Sequence, residues 1–173
     1  MSKRIGRAIA VTSVVLLLVI VAWRAQAPAV ADFDQEIRML EDRLAAAIRA
    51  KDIDKIMACY MNSPKLVVFD LIPPRQYTGW DAYKANWQGF LGQCTDSPNW
   101  ESSDLHVQGG QGFAFSHSIA HVACSTKNGT KMDVILRVTR CYANFKGQWL
   151  IAHEHISVPV DPFTGKADLQ SKP

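Results

Sequence analysis

The feature that most constrains this chain is a set of four β-rich runs that follow one another after Pro98. Residues 100–107, 113–125, 131–144 and 149–160 are separated by turns containing glycine, a spacing that predicts a meandering antiparallel sheet. The preceding part reads as helical. Phe33, Ile37, Leu40, Leu44, Ala47 and Ile48 recur at three- and four-residue steps, which predicts a helix over 32–50 capped by Asp32 or Asp34. A second helix opens at Asp52 and stops before Pro64. A third runs from about Asp81 to Leu91, with Tyr83, Trp87, Phe90 and Leu91 on one side and Gly92 ending it. Residues 65–71 form a short β-rich run closed by Pro73 and Pro74, which have no N–H to give a ladder. Three helices followed by a long sheet is an α+β plan, with helices on one face of a curved sheet.

The N-terminus reads as an export signal covering residues 1–31. Lys3, Arg4 and Arg7 precede an apolar stretch from Ala8 to Trp23, and small residues at 25–27 and 29–31 offer cleavage sites. The alternative is an uncleaved membrane anchor, because this sixteen-residue stretch, apolar apart from Thr12 and Ser13, is only slightly short for a bilayer. The rest divides into one domain over 32–160 and a polar tail over 161–173. Without residues 1–31 the net charge changes from +3 to −1, fifteen basic residues standing against sixteen acidic ones. Such a balance gives no basic face and argues against nucleic-acid binding. In an oxidising compartment one disulfide is expected, with Cys59 and Cys94, each just past a predicted helix, as the candidates. No two cysteines stand at zinc-ligand spacing, and no metal site is expected.

The turns set a register. In Asn144-Phe145-Lys146-Gly147-Gln148, Gly147 can close a three-residue turn, placing Asn144 opposite Gln148 and leaving Arg140 diagonal to Glu154. The turn over 126–130 read the same way sets His117 opposite Thr139 and Ile119 opposite Arg137, whereas a two-residue Asn-Gly turn would shift every partner by one. One face then carries Phe113, Phe115, His117, Ile119, Arg137, Trp149, Ile151, His153 and His155. The other carries Ala114, Ser116, Ser118, Ala120, Leu136, Arg140, Tyr142, Glu154 and Ile156. Neither face is plainly polar, so a homodimer or larger assembly through the sheet is expected.

Residues 69–74 (Phe-Asp-Leu-Ile-Pro-Pro), Tyr77-Thr78-Gly79, Tyr83, Trp87, Arg137-Val138-Thr139 and the closing run 147–159 together resemble SnoaL-like domain proteins of the nuclear-transport-factor-2-like, or ketosteroid-isomerase-like, superfamily. The resemblance covers about 33–166. It implies a cone-shaped mixed sheet wrapped around three N-terminal helices, a cystatin-like half-barrel, with a pocket inside. Members include isomerases, polyketide cyclases, dehydratases and proteins with no known activity, so the fold implies a pocket without naming its contents. The association domain of calcium/calmodulin-dependent kinase II is similar over the last hairpin. Its pocket arginines fall on Arg140, retained here, and Ile156, which departs. The resemblance places the Arg140 and Glu154 face inward.

Several residues carry candidate chemistry. Glu154 in an aliphatic cavity would be a general acid or base; paired with Arg140 it would be structural. Asp70, near the expected cone mouth, approximates with Tyr60 or Tyr77 the isomerase pattern of an acid/base carboxyl and a tyrosine donor. A turn acceptor is the alternative reading of Asp70. His153, with His155 and Arg137, is either an acid/base group, as in the related dehydratases, or part of an interface. Tyr83, Trp87 and Tyr142 are expected among the lining residues of a small-molecule pocket. The function expected is binding of an unidentified small molecule, with isomerase, cyclase or dehydratase chemistry and no cofactor. The alternative is a non-catalytic sensing or oligomerisation module.

Overall fold

The computed structural model describes residues 33–110 and 112–171; the expected export signal lies outside them. Helix α1 spans Phe33–Arg49 and α2 spans Ile53–Met57, entered through Asp52, whose side chain accepts from the Lys55 N–H. Strands β1 (Val67–Phe69) and β2 (Tyr77–Thr78) follow, then α3 (Trp80–Gln93). The long strands are β3 (Asn99–Gly110), β4 (Phe113–Ser125), β5 (Lys131–Phe145) and β6 (Gln148–Ser157).

All six strands form one curved, unclosed sheet in the order β2-β1-β6-β5-β4-β3, antiparallel except where β1 runs parallel to β6. It is the expected α+β half-barrel. Apolar side chains of α1 (Ile37, Leu40, Leu44, Ile48) meet the inward residues Ala120, Val122, Leu136, Val138 and Ile151 in one buried core. Strand β1 is shorter than the β-rich run suggested. At Asp70 the carboxylate takes the Leu71 N–H (2.6 Å), and the two prolines that follow have no N–H to give.

The β4–β5 register is the expected one: His117 faces Thr139 and Ile119 faces Arg137. The β5–β6 register is not. Phe145 faces Gln148 across a two-residue turn in which Lys146 and Gly147 both have positive φ (54° and 86°), the geometry that suits the right-handed twist of a hairpin. A second irregularity follows. Cys141 pairs with His153 but Tyr142 with Ile151, so Ala152 is an extra residue on β6. The bulge turns Trp149 and Ile151 inward, where both are buried, and corrects their placement on the outer face. Beyond it the partners are displaced by two residues, which preserves parity. Arg140 therefore stands directly opposite Glu154.

The disulfide is also a correction: Cys94 pairs with Cys124, Cα atoms 5.7 Å apart, while Cys59 and Cys141 are free. The chain leaving α3 bridges the end of β4, with Thr95 N–H donating to Ser125 O (2.8 Å), and this sets Cys94 beside the inward-facing Cys124. Cys59 instead follows the end of α2, buried against the core. After Ser157 the chain turns back at 161–166, and Leu169 O accepts the Ile135 N–H on the edge of β5 that β6 leaves open.

Candidate functional site

Two features occupy the inside of the cone: a closed polar network and, beside it, an apolar cavity. The network begins at Glu154, whose side chain has no solvent exposure. Its Oε2 accepts from Arg140 Nε (2.5 Å), and its Oε1 accepts from the Tyr83 hydroxyl (2.5 Å). The Tyr60 hydroxyl lies 3.2 Å from each oxygen. Tyr60 reaches this place because the segment after α2 adds to β6, with Met61 N–H donating to Ile151 O (2.9 Å). Arg140 extends the network to α1, donating from Nη1 to Glu41. Glu41 also accepts from the Tyr142 hydroxyl (2.5 Å), which contacts the Ser116 hydroxyl (2.7 Å).

Burial pushes the Tyr60 and Tyr83 hydroxyls well above their ordinary pKa, and the charge of Glu154 adds to it, so both stay protonated donors. Burial would lower the pKa of Arg140, but Glu41 and Glu154 outweigh it and hold the guanidinium charged. One guanidinium thus answers two carboxylates. Glu154 is bonded by three side chains and is not among the cavity's lining residues. Its arrangement is that of an ion pair.

The cavity, about 100 Å³, lies between α3 and the inner face of the sheet. Trp87, Phe90, Trp100, Val134, Leu136 and Ile156 supply most of its apolar wall. Two polar residues, Asp70 and Asn86, stand at its edge, and Asn86 Nδ2 donates to Asp70 Oδ2 (2.6 Å). Burial raises the pKa of Asp70 and the charge of Glu154 adds to that, against the hydrogen bonds from Leu71 and Asn86. Asp70 is consequently a carboxyl beside an apolar space, biased toward protonation and held in orientation by an amide. Tyr83 lines the same cavity while its hydroxyl serves Glu154.

Of the residues expected at the site, Asp70, Tyr83 and Trp87 line the cavity. Tyr60, Arg140, Tyr142 and Glu154 lie in the network. Tyr77 sits nearby, its hydroxyl donating to Pro73 O (3.3 Å) and not to Asp70. Arg137, His153 and His155 are on the outer face. Arg137 donates to Val158 O (2.9 Å), His153 Nδ1 contacts Val67 O (2.7 Å), and Phe69 meets both imidazoles edge-on. Among the described residues no three or more His, Cys, Asp or Glu are grouped to hold a metal. Asn86 and Glu41 were missed by sequence reasoning, though each left a signal. Asn86 shares the helical face of Tyr83, Trp87 and Phe90, and Glu41 interrupts the apolar stripe of Ile37, Leu40 and Leu44.

Residues 37–161 match the SnoaL-like domain. The chain belongs to that family. It is 34% identical to an NTF2-like protein of unknown function from Pseudomonas putida KT2440, covering 80% of this chain and 95% of that one, with a TM-score of 0.71. A putative calcium/calmodulin dependent protein kinase II association domain from Xanthomonas campestris is 24% identical over 70% of this chain and 84% of its own, TM-score 0.61. An NTF2-like superfamily protein from Salmonella enterica serovar Typhimurium LT2 is 19% identical over 76% and 94%, TM-score 0.67. These last two establish likeness of fold. No curated protein matches the chain.

Proposed function

We propose that this SnoaL-like domain binds a small molecule in the cavity beneath α3 and that Asp70 transfers protons there as general acid and base, an isomerase- or dehydratase-type role. The observation that carries the reading is the place of Asp70. It is the carboxyl at the edge of an otherwise apolar cavity, its pKa raised by burial and its orientation fixed by Asn86. A carboxyl poised nearer neutrality both accepts a proton and returns it within one turnover. Glu154 is assigned the supporting role, because Arg140 and two tyrosines already satisfy it.

The test is exchange of α-hydrogens in a panel of ketones dissolved in heavy water, followed by NMR with the wild-type chain and with Asp70→Asn. Positioned acid/base groups contribute about 10²–10⁴-fold, so the wild type should exceed the variant by that order. Equal rates for the two proteins would overturn the assignment of Asp70.

The reading includes export by residues 1–31 and pairing of two chains through the outer face of the sheet. The disulfide between Cys94 and Cys124 supports an oxidising compartment. The exposed Phe113 and Phe115 on a face that the described helices leave open support pairing. Intact mass of the protein recovered from its source cell tests the first, with loss of residues up to Ala27 or Ala31 expected. An unprocessed N-terminus on a protein held in the membrane fraction would favour an anchor instead.

A further inference from the structure

The chain has five histidines, His106, His117, His121, His153 and His155, and the strand registers set all five on the outer face of the sheet. His106, His117 and His155 stand in one row across β3, β4 and β6, with Thr139 of β5 between the last two. The imidazoles of His106 and His117 stack, their centroids 5.1 Å apart. The other two rings are engaged. His121 Nε2 lies 2.9 Å from Asp133 Oδ1 and its Nδ1 4.0 Å from Glu101 Oε2, while His153 Nδ1 contacts Val67 O (2.7 Å). The remaining titratable groups on this face, among the described residues, are few. Arg137 stands one row from His117 and His155, the Cys141 thiol one row to the other side, and Lys131 at the far end of β5. Asp104 sits at the irregularity on the edge strand β3, where its carboxylate takes the Ser103 hydroxyl (3.1 Å). The row of three imidazoles therefore has a cation beside it, and the two carboxylates within the sheet are spent on His121.

The extent of the face suits a second copy of the chain. Strands β3 to β6 have 12, 13, 15 and 10 residues. At about 3.3 Å per residue and about 4.8 Å between strands they present about 800 Å². Each partner of a stable pair buries about that much. Histidine is the side chain whose charge changes between pH 8 and 5. A neutral imidazole enters an interface as an ordinary polar group, but a charged one without a counter-ion is strongly disfavoured there, the more so beside like charges. We infer that pairing of two chains through this face is acid-sensitive: the pair is held while His106, His117 and His155 are neutral and parts as they take up protons. The inference rests on the pairing proposed above and adds its regulation. Paired chains then bind fewer protons than separated ones, so the pair is strongest at the alkaline end and weakens as pH falls. Each excluded proton weakens it up to about tenfold per pH unit, and one in each chain up to about a hundredfold.

The experiment is sedimentation velocity of the protein as recovered from its source cell, from pH 8 to pH 5 at constant ionic strength. Near-ultraviolet circular dichroism follows the fold in the same samples. The dissociation constant of the pair should rise at least tenfold for each pH unit across the histidine range, with the dichroism unchanged. His117→Gln and His155→Gln, both at exposed positions, should each flatten that slope, and the double variant should remove most of it. His121→Gln should leave it in place, because Asp133 and Glu101 already meet that ring. A pair whose dissociation constant stays level or falls with acid overturns the inference while the pairing itself stands. A slope that survives in the double variant, or one that tracks loss of the dichroism signal, overturns it as well. A wild type that is monomeric at every pH removes the pairing and the inference together.

Discussion

Arg140 meets two carboxylates, Glu154 across the ladder and Glu41 on α1, in a space closed to solvent. The consequences of removing each group differ. Glu154→Gln leaves Arg140 paired with Glu41 and keeps an acceptor for the tyrosines, so a loss of about 1–3 kcal/mol is expected. Arg140→Met leaves both carboxylates buried without a counter-charge, and a loss of about 3–5 kcal/mol is expected. Urea denaturation of the two variants should show that order, and the reverse order would mean that Arg140 is not the group that holds the two carboxylates. Asp70 makes the opposite kind of contribution. Its pKa is raised by burial above its ordinary value of 3.8, so the folded chain binds the proton more tightly than the unfolded one. Stability from this group is full below the unfolded pKa and is lost as pH rises through the folded one. Asp70→Asn should therefore lose less stability than the wild type as pH rises from about 4 through the folded pKa. Thermal melts across that range check it, and parallel curves would show that Asp70 ionises freely.

The disulfide ties the C-terminal end of α3, the helix that carries Asn86, Trp87 and Phe90, to the sheet. It closes a loop of sequence separation 30, for which the chain-entropy account gives about 3–4 kcal/mol. Replacing both Cys94 and Cys124 by Ser should cost that much in denaturant midpoint converted to free energy. Peptide mapping without reduction should find a 94–124 crosslink, with Cys59 and Cys141 alkylated. A 59–94 crosslink would restore the pairing first expected from helix ends. That expectation failed because nearness to a helix end says little about the partner strand. Cys124 lies on the inner parity of β4 with Ala120 and Val122, and that was the better clue. Parity also explains what was legible elsewhere. Register between β4 and β5 followed from the five-residue turn at 126–130, and the long strands carried it unbroken for thirteen pairs. On β6 the extra Ala152 left no mark in composition, since bulges depend on how Cys59–Met61 and β1 share that strand's edge. Arg140 and Glu154 were still found together because two shifts of one residue restored their common face.

At the scale of the whole molecule the outer face of the sheet is the part that no described helix covers. In register across it lie His106, His117, Thr139, His155 and Phe69, with Phe115, Cys141 and His153 in the next row. Phe113 is 74% exposed and Phe115 41%. Large apolar side chains set together on a sheet face mark an interaction surface more often than a solvated one. A second copy of this chain would match such a face by two-fold symmetry, each residue meeting its counterpart's neighbours, and stable pairs bury about 800 Å² per partner. Pairing there would leave the cavity free, because Trp87, Leu136 and Ile156 project from the other side of the sheet or from α3. Light scattering of the wild type should give a dimer at micromolar concentration. The double change Phe113→Ser and Phe115→Ser should weaken it at least tenfold, since burial of one such ring is worth about 1.5–3 kcal/mol. Ketone exchange by Asp70 should persist in the separated chain if each half-barrel is a complete site. A monomeric wild type would instead leave the phenylalanines to another partner and confine the function to a single cone.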